Sequence, residues 1–547
     1  MHGPGTPTER SQLLPPAPVS STEVALPANL AIIIISLWTG SFLSAADTTI
    51  VSTTANTIAS LLHDSNGIAW IGTSYLLTNA VFQPLTGKMS ELFGRRSTLL
   101  FAQFWFGLGC LLCACSKSVT QFTMARALAG IGGGGISALS SIIVTDVVPL
   151  RMRGIFQGYA NLMYGLGQFV GPVLGGLCLG VDGKNGWRWM FGLQVPLVVI
   201  AALLVSRNIH EYTTDAEERL KNRFSKKNFL KIDIGGSITL SLLITSVLLL
   251  FTASSSTQAV VYIVAALSFG LLFYVVETRL ATDHIIPPFA FKGVLRLGAF
   301  TAMFGSMTMY GTNFILPIYL QTVHGLDSVQ LGLFNGFGVF FVSFGSLFAG
   351  WLLKHNADVK DEDIVAKAVR TSILGFLAVF SGSFICLSIC LTAKPAFAPE
   401  DRVLWKIALL AGSYSLSGLG YGMFLVSLLI MVVGIVGAKH QAPVTGMNYL
   451  FRSIGSVSGA GITLNIYKTV LSTELWHYFI KKKRPDGEKI YQSLMDNFFY
   501  VRNGLDPKYT TKVLKIYREA VSDSVTMVFI FAAMALTASI SLRLYRR

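Results

Sequence analysis

The stretch Gly87-Lys-Met-Ser-Glu91-Leu-Phe-Gly94-Arg95-Arg96 separates two apolar segments, 68–86 and 97–116. Each segment is about 20 residues long, the length that an α-helix needs to cross the hydrocarbon core of a bilayer. An ordinary basic loop explains the two arginines but not the two glycines that flank an acid. The stretch therefore predicts a tight, structured turn between two transmembrane helices.

Apolar segments of this length recur along the whole chain of 547 residues. Charged residues make up 13% of the sequence, against roughly 25% in soluble domains. The mean hydropathy is +0.58. We therefore predict an all-α polytopic membrane protein with about 14 transmembrane helices, at approximately 29–52, 68–86, 97–116, 121–145, 156–180, 187–206, 234–253, 259–277, 299–320, 330–353, 369–391, 404–437, 444–467 and 523–543.

The distribution of basic residues predicts the sidedness of these spans. Basic residues follow the second, fourth and sixth spans and end the chain, and an even number of spans puts all of them on one side. By the positive-inside rule that side, with both termini, is cytosolic. The segment 468–522 then lies on the opposite, lumenal side despite Lys481-Lys-Lys-Arg484, which a loop of this length tolerates.

Residues 1–27 are rich in Pro, Ser and Thr and contain no apolar core, so we expect a disordered cytosolic tail. Within it, Glu9 lies four positions before Leu13 and Leu14, which matches an acidic dileucine sorting signal. A sorting adaptor would bind such a peptide in an extended form. Chance occurrence is the alternative, because the motif is short.

Asp47 is a carboxylate inside the first apolar segment, in the run Leu43-Ser-Ala-Ala-Asp47-Thr-Thr-Ile-Val51. Charged residues at membrane depth usually face a cavity and mark a substrate or proton pathway. The alternative places Asp47 at the wet edge of the span. Arg126 in the fourth span is a second charged residue inside an apolar segment. The alternative is that its long side chain extends to the membrane–water interface.

The fifth span carries a stripe of glycines at Gly167, Gly171 and Gly175, followed by Gly176. Glycines at every fourth position give a smooth helix face for close packing. Pro172 removes one backbone hydrogen bond and bends the helix.

Together these motifs resemble three signatures of the major facilitator superfamily: the loop after the second helix, the arginine linked to proton transfer, and the antiporter motif. The resemblance implies that Gly87, Glu91, Gly94, Arg95 and Arg96 form a charge relay that holds a cytosolic gate shut. In this chain Glu91 replaces the more common Asp.

Further stretches are similar to the fourteen-span drug:proton antiporter branch of that family, namely Trp70–Leu77, Gln83-Pro84-Leu and Trp187–Phe191. The resemblance implies an N-terminal six-helix half, a cytosolic linker, two inserted helices and a C-terminal six-helix half with a long lumenal loop. The corresponding ranges are 28–206, 207–233, 234–277, 278–547 and, for the loop, 468–522.

Asp47 and Arg126 would carry proton coupling. Burial favours the neutral form of a carboxyl group and a nearby cation favours the charged form, so one Asp can exchange a proton for a cationic substrate. Nothing in the sequence supports an ATP-driven pump, since it has no Gly-x-x-x-x-Gly-Lys-Ser/Thr phosphate loop. We expect neither an enzyme nor a bound cofactor or metal.

Polar residues inside the spans are candidates for substrate binding, and interhelical hydrogen bonding is the alternative for each. Tyr310 and Asn313 form the better pair, three positions apart on one helix face. The full set of candidates is Asp47, Gln83, Asn161, Tyr164, Gln168, Tyr310, Asn313 and Asn335, with Tyr414 and Asn448 as further members.

Within the family the chain resembles fungal vacuolar basic amino-acid transporters, which implies exchange of lysine, arginine and histidine for lumenal protons at the vacuolar membrane. A multidrug or toxin exporter of the plasma membrane is the first alternative. A siderophore transporter and a transport-inactive membrane sensor are the others. The expected partners are a small cationic substrate, protons and the lipid bilayer; the net charge of +15 does not indicate nucleic acid, and we expect a monomer.

Overall fold

The computed structural model describes residues 29–62, 68–182, 185–209, 233–250, 256–280, 289, 293–326, 328–354, 361–392, 400–436, 441–496 and 500–546. These ranges are almost entirely helical. The helices of the N-terminal part are α1 Leu30–Leu61, α2 Ile68–Phe93, α3 Arg95–Cys115, α4 Val119–Val147, α5 Leu150–Val181, α6 Gly186–Gly192 and α7 Gln194–Asn208.

The remaining helices follow in the same chain order. They are α8 Ile234–Leu250, α9 Ser256–Val275, α10 Gly293–Tyr319, α11 Ser328–Leu353, α12 Asp361–Thr392, α13 Glu400–Val436, α14 Gln441–Trp476, α15 Gly487–Asp496, α16 Tyr500–Asn503 and α17 Pro507–Arg546. One-turn π-helical segments extend three of them, at Val276–Leu280, Leu320–His324 and His477–Lys481.

A helix covers each of the fourteen predicted spans, so the predicted all-helical polytopic fold is confirmed. In the described part of the chain, ten helices are long and apolar enough to cross a membrane by length and composition. The sixth span is divided into α6 and α7 at Leu193. Pro196 has no N–H to donate to the carbonyl of Gly192, which accounts for the break.

The helices pack as two bundles. The first, α1–α7, has a buried core around Phe106, Ile136 and Leu139. The second, α10–α14 with α17, has a core that includes Phe376 and Phe424. The bundles meet where α5 packs on α11 and α2 packs on α14, whereas α8 and α9 pack on each other, with α8 also contacting α2 and α14.

Large apolar side chains cover the outside of the bundles. An uninterrupted apolar surface of this kind is stable in lipid, because the helices satisfy their own backbone hydrogen bonds. Examples of these exposed residues are Phe104, Leu177, Leu203, Leu267, Trp351 and Trp405.

The segment 468–522, which we predict to be a long loop, is mostly helical. Helix α14 continues to Trp476, and α17 already begins at Pro507. Leu471, Leu475 and Phe479, each four positions after the last, extend the buried face of α14 and form one core cluster with residues of α17. This packing stabilises helix well beyond the apolar spans.

Candidate functional site

The centre of the first bundle holds a buried ion pair. Asp47 on α1 is 0% exposed and Arg126 on α4 is 1% exposed. Nη1 of Arg126 donates to Oδ2 of Asp47. The structure therefore brings the two predicted proton-coupling residues into direct contact.

The aromatic ring of Tyr75 on α2 packs against the guanidinium of Arg126. The Arg126 guanidinium lies 4.3 Å from the centroid of the Tyr75 ring, a cation–π arrangement. The Tyr75 hydroxyl is 3.0 Å from Oγ of Ser44, one turn before Asp47 on α1. A methyl group at Gly133 of α4 would lie 2.9 Å from Cζ of Tyr75, so the lack of a side chain at Gly133 is what admits the ring.

One polar atom of each member of the pair is buried without a hydrogen-bond partner. Oδ1 of Asp47 and Nε of Arg126 are both buried and unpaired. Desolvated polar atoms without partners raise the energy of this state. Because Asp47 is fully buried, it does not line an open cavity in this conformation, and a proton or a substrate can reach its unpaired Oδ1 only if the packing around the pair opens.

The glycine stripe of α5 fixes the position of Asp47 through close packing. A methyl group at Gly167 would lie 3.0 Å from Cβ of Ala45, and one at Gly171 would lie 2.6 Å from the carbonyl oxygen of Ala46. Gly175 is also buried. Pro172 lies inside α5.

Gly176, the last glycine of the motif, differs from the other members. It is exposed, and a methyl group placed on it would meet nothing within 4 Å. The packing role of the motif therefore belongs to its earlier glycines.

Two predicted substrate candidates join the bundles through hydrogen bonds. Ser453 of α14 donates to Oε1 of Gln83 at 2.7 Å. Nδ2 of Asn161 on α5 donates to Oγ of Ser346 on α11 at 3.0 Å. For both residues the structure supports the interhelical alternative.

The other candidates lie along α5, α10 and α11. Tyr164 on α5 and Tyr310 on α10 are both half-buried. Asn313 is exposed and accepts a hydrogen bond of 2.9 Å from the Tyr414 hydroxyl. Oδ1 of Asn335 is buried without a hydrogen-bond partner, as is Oδ1 of Asn448 on α14, and Gln168 is half-buried.

At the predicted cytosolic end, Asp146 links the two bundles. Nε of Arg95 donates to Oδ2 of Asp146 at 2.9 Å, and Nη1 of Arg95 donates to Oγ of Ser90 at 2.6 Å. Nε2 of Gln441, the first residue of α14, donates to the other carboxylate oxygen of Asp146. One acid thus holds a basic residue of the first bundle and an amide of the second.

The rest of the predicted gate motif surrounds this bridge. Glu91 lies 3.6 Å from Nζ of Lys88. Gly94 adopts a φ of 91°, a conformation that favours glycine, at the junction of α2 and α3. A methyl group at Gly87 would lie 3.1 Å from the carbonyl oxygen of Ala442, so this glycine allows α2 to approach α14. Arg96 follows Arg95 on the first turn of α3.

Tyr75 and Asp146 of this site are absent from the sequence prediction, as is Arg452, whose guanidinium carbon lies 4.9 Å from the centroid of the Tyr449 ring on the same helix. Arg452 on α14 carries the clearest signal, since an ionisable residue inside a span is a functional candidate by default. Tyr75 and Asp146 carry no signal of their own, because their roles depend on partners brought together by the fold.

The structure consists of two bundles of membrane-length helices. One bundle contains a buried ion pair, and polar bridges join the two bundles. These features are those of a polytopic membrane transporter. The profile of the Major Facilitator Superfamily matches residues 37–460, and the chain belongs to that family. It is therefore a transporter and not an enzyme.

Curated relatives agree with this assignment. The chain is 36% identical over 506 residues to vacuolar basic amino acid transporter 1 of Saccharomyces cerevisiae, covering 89% of this chain and 88% of the relative. It is 32% identical over 535 residues to multidrug resistance protein fnx1 of Schizosaccharomyces pombe, covering 96% and 94%. Among solved structures, the human organic anion transporter MFSD10 shares the fold with a TM-score of 0.55 at 13% identity, over 92% of this chain and 100% of that chain.

The predicted sorting signal, Glu9 with Leu13 and Leu14, lies outside the described residues, as does most of the linker 207–233. In the part of the chain that the structure describes, no group of three or more His, Cys, Asp or Glu side chains could hold a metal ion.

Proposed function

We propose that this protein is a proton-coupled antiporter that moves lysine, arginine and histidine from the cytosol into the vacuole. The observation that carries the proposal is the Asp47–Arg126 pair, which leaves one carboxylate oxygen buried and unpaired. A proton on Asp47 weakens its attraction to Arg126, and loss of that proton restores the pair. Binding of a cation near Asp47 favours its ionised form and thereby releases the proton.

The direction of transport and the membrane are proposed from the relatives and from the predicted sidedness. A relative named vacuolar basic amino acid transporter 1 is 36% identical to the chain. The vacuolar lumen is acidic, so protons leaving it supply the free energy for accumulation of a cation.

Uptake of labelled lysine, arginine or histidine into acidified vacuolar vesicles tests the proposal directly. Vesicles that contain the protein should accumulate the label, and a proton uncoupler should abolish the accumulation. Vesicles from cells that lack the protein provide the baseline. Absence of uptake for all three amino acids would overturn the proposal.

A multidrug:proton antiporter is the second candidate, favoured by the 32% identity to multidrug resistance protein fnx1. The same vesicles separate the two functions. Proton release stimulated by hydrophobic cations, without any uptake of basic amino acids, would support drug export instead.

A further inference from the structure

We propose that Arg452 binds the carboxylate group of the amino-acid substrate. The inference rests on the proposed function and adds the second half of the binding site. Asp47 can attract a cationic side chain, but every α-amino acid also carries a carboxylate, and that group needs a buried positive partner.

Arg452 lies at the middle of the predicted membrane. It is eleven residues from Gln441 at the start of α14, which corresponds to about 17 Å along the helix at 1.5 Å per residue. The hydrocarbon core is about 30 Å thick, so the guanidinium cannot easily reach either interface. An arginine at this depth has to face the protein interior or an aqueous cavity.

The surroundings of Arg452 place it between the two bundles. Four tyrosines lie near its guanidinium, one each from α5, α10, α13 and α14: Tyr164, Tyr310, Tyr421 and Tyr449. Tyr164 belongs to the first bundle and the others to the second. This is the position that a substrate occupies in a protein whose halves open alternately.

Arg452 has no counter-ion in the described part of the chain. No acidic side chain there lies within 4 Å of its guanidinium, and its buried Nε has no hydrogen-bond partner. The Tyr449 ring lies 4.9 Å from the guanidinium carbon, and its π face attracts the cation without neutralising it. The Asp47–Arg126 pair is neutral as a unit and does not supply the missing charge.

The residue is nevertheless not completely buried, and part of its surface remains accessible. A guanidinium with a free edge binds a carboxylate through two parallel N–H···O bonds, which gives both affinity and orientation. The tyrosine hydroxyls around it can donate further hydrogen bonds. Their rings can also contact a cationic side chain.

The close packing of α14 on α10 holds Arg452 in place. A methyl group at Gly455 would lie 2.9 Å from the carbonyl carbon of Met303, and one at Gly459 would lie 2.7 Å from that of Met307. The arginine is therefore presented from a rigid element.

This arrangement distinguishes substrates by their carboxylate. Lysine carries both a cationic side chain and a carboxylate, whereas cadaverine, which is lysine without its carboxylate, has no group that Arg452 can bind. A hydrophobic drug cation resembles cadaverine in this respect. Arg452 therefore selects amino acids from cations in general.

The test is competition for labelled lysine uptake in proteoliposomes that contain the full chain, with unlabelled lysine and cadaverine as competitors. Wild-type protein should prefer lysine by at least about tenfold. Arg452→Gln should weaken lysine competition about 10- to 100-fold, the usual effect of losing a charged hydrogen bond, and leave cadaverine unchanged. Arg452→Lys should retain part of the preference, and Lys515→Gln, an exposed site, should match wild type.

The outcomes separate this inference from the proposed function. If wild-type protein transports no basic amino acid, the proposed function fails and the inference fails with it. If it transports lysine but cadaverine competes equally well, only the inference is overturned, and this result needs no variant to fold. Full lysine preference in Arg452→Gln would also overturn it.

Discussion

The Asp47–Arg126 pair is stable only as a pair. Each partner is almost completely buried, and each has one polar atom without a hydrogen bond. Removing one member of a buried pair leaves an uncompensated charge, which typically costs about 3–5 kcal/mol. Removing both members avoids that penalty.

We therefore expect Asp47→Asn and Arg126→Gln each to lower the thermal stability of the purified protein and to abolish lysine uptake. The double variant should recover most of the stability but none of the transport. Thermal unfolding in detergent and uptake in proteoliposomes measure the two properties separately.

An exposed pair serves as the control for this double-mutant cycle. Lys515 and Glu519, 3.7 Å apart on α17, are both about half exposed, so their loss should change stability by less than about 1 kcal/mol. Transport by the double variant of Asp47 and Arg126 would exclude the pair from proton coupling.

At this scale the sequence is informative about single residues and uninformative about their partners. Asp47, Arg126 and Arg452 can be recognised because an ionisable group in an apolar span is improbable without a function. Asp146 is at the end of a span, where an acid is unremarkable. Only the fold shows that it lies between Arg95 and Gln441.

At the scale of helices, the packing of α1 on α5 determines where Asp47 lies. Gly167 and Gly171 are in contact with the two turns of α1 that precede and contain Asp47. An added methyl group at Gly171 has no room, because the nearest atoms include the carbonyl oxygen of Ala46. The backbone of α1 cannot move aside without moving Asp47.

We expect Gly171→Ala to reduce lysine uptake at least about tenfold and to lower thermal stability by about 1–3 kcal/mol, the usual cost of overpacking. Gly176→Ala is the matched control within the same motif, because its site is open. Equal effects of the two substitutions on uptake would show that packing against α1 is not what the motif provides.

Hydropathy predicts which helices exist better than where they end. Every apolar span corresponds to a helix, but α14 and α17 continue far beyond their apolar parts. The extension of α14 buries Leu471, Leu475 and Phe479 on one face and exposes polar residues on the other. A window that averages over both faces does not detect such a helix.

At the scale of the whole molecule, the two bundles are in direct contact at the predicted cytosolic end. Asp146 bridges to Gln441, and a methyl group at Gly154 of α5 would lie 3.2 Å from the Cα of Gly350 on α11. Backbones that approach this closely leave no passage between them. Opening toward the cytosol requires both contacts to separate.

We expect Asp146→Asn to favour opening at this end, because it removes the charge that Arg95 and Gln441 share. A cysteine introduced at the buried Ala442 should then react at least about tenfold faster with a water-soluble maleimide, since a lost charged hydrogen bond is worth about 1.5 kcal/mol or more. Peptide-resolved mass spectrometry distinguishes this thiol from the six native cysteines. Glu519→Gln should leave the rate unchanged, and an unchanged rate in Asp146→Asn would remove Asp146 from the gate.

Helix α14 begins at Gln441, carries Arg452 about a third of the way along and continues to Trp476. At 1.5 Å per residue its 36 residues form a rod about 54 Å long. Such a rod acts as a lever, and a small tilt about the level of Arg452 displaces its two ends in opposite directions, the Trp476 end about twice as far as the Gln441 end. A solute held at Arg452 lies near this pivot. Binding of the solute and closure of either end therefore both involve movement of the same helix.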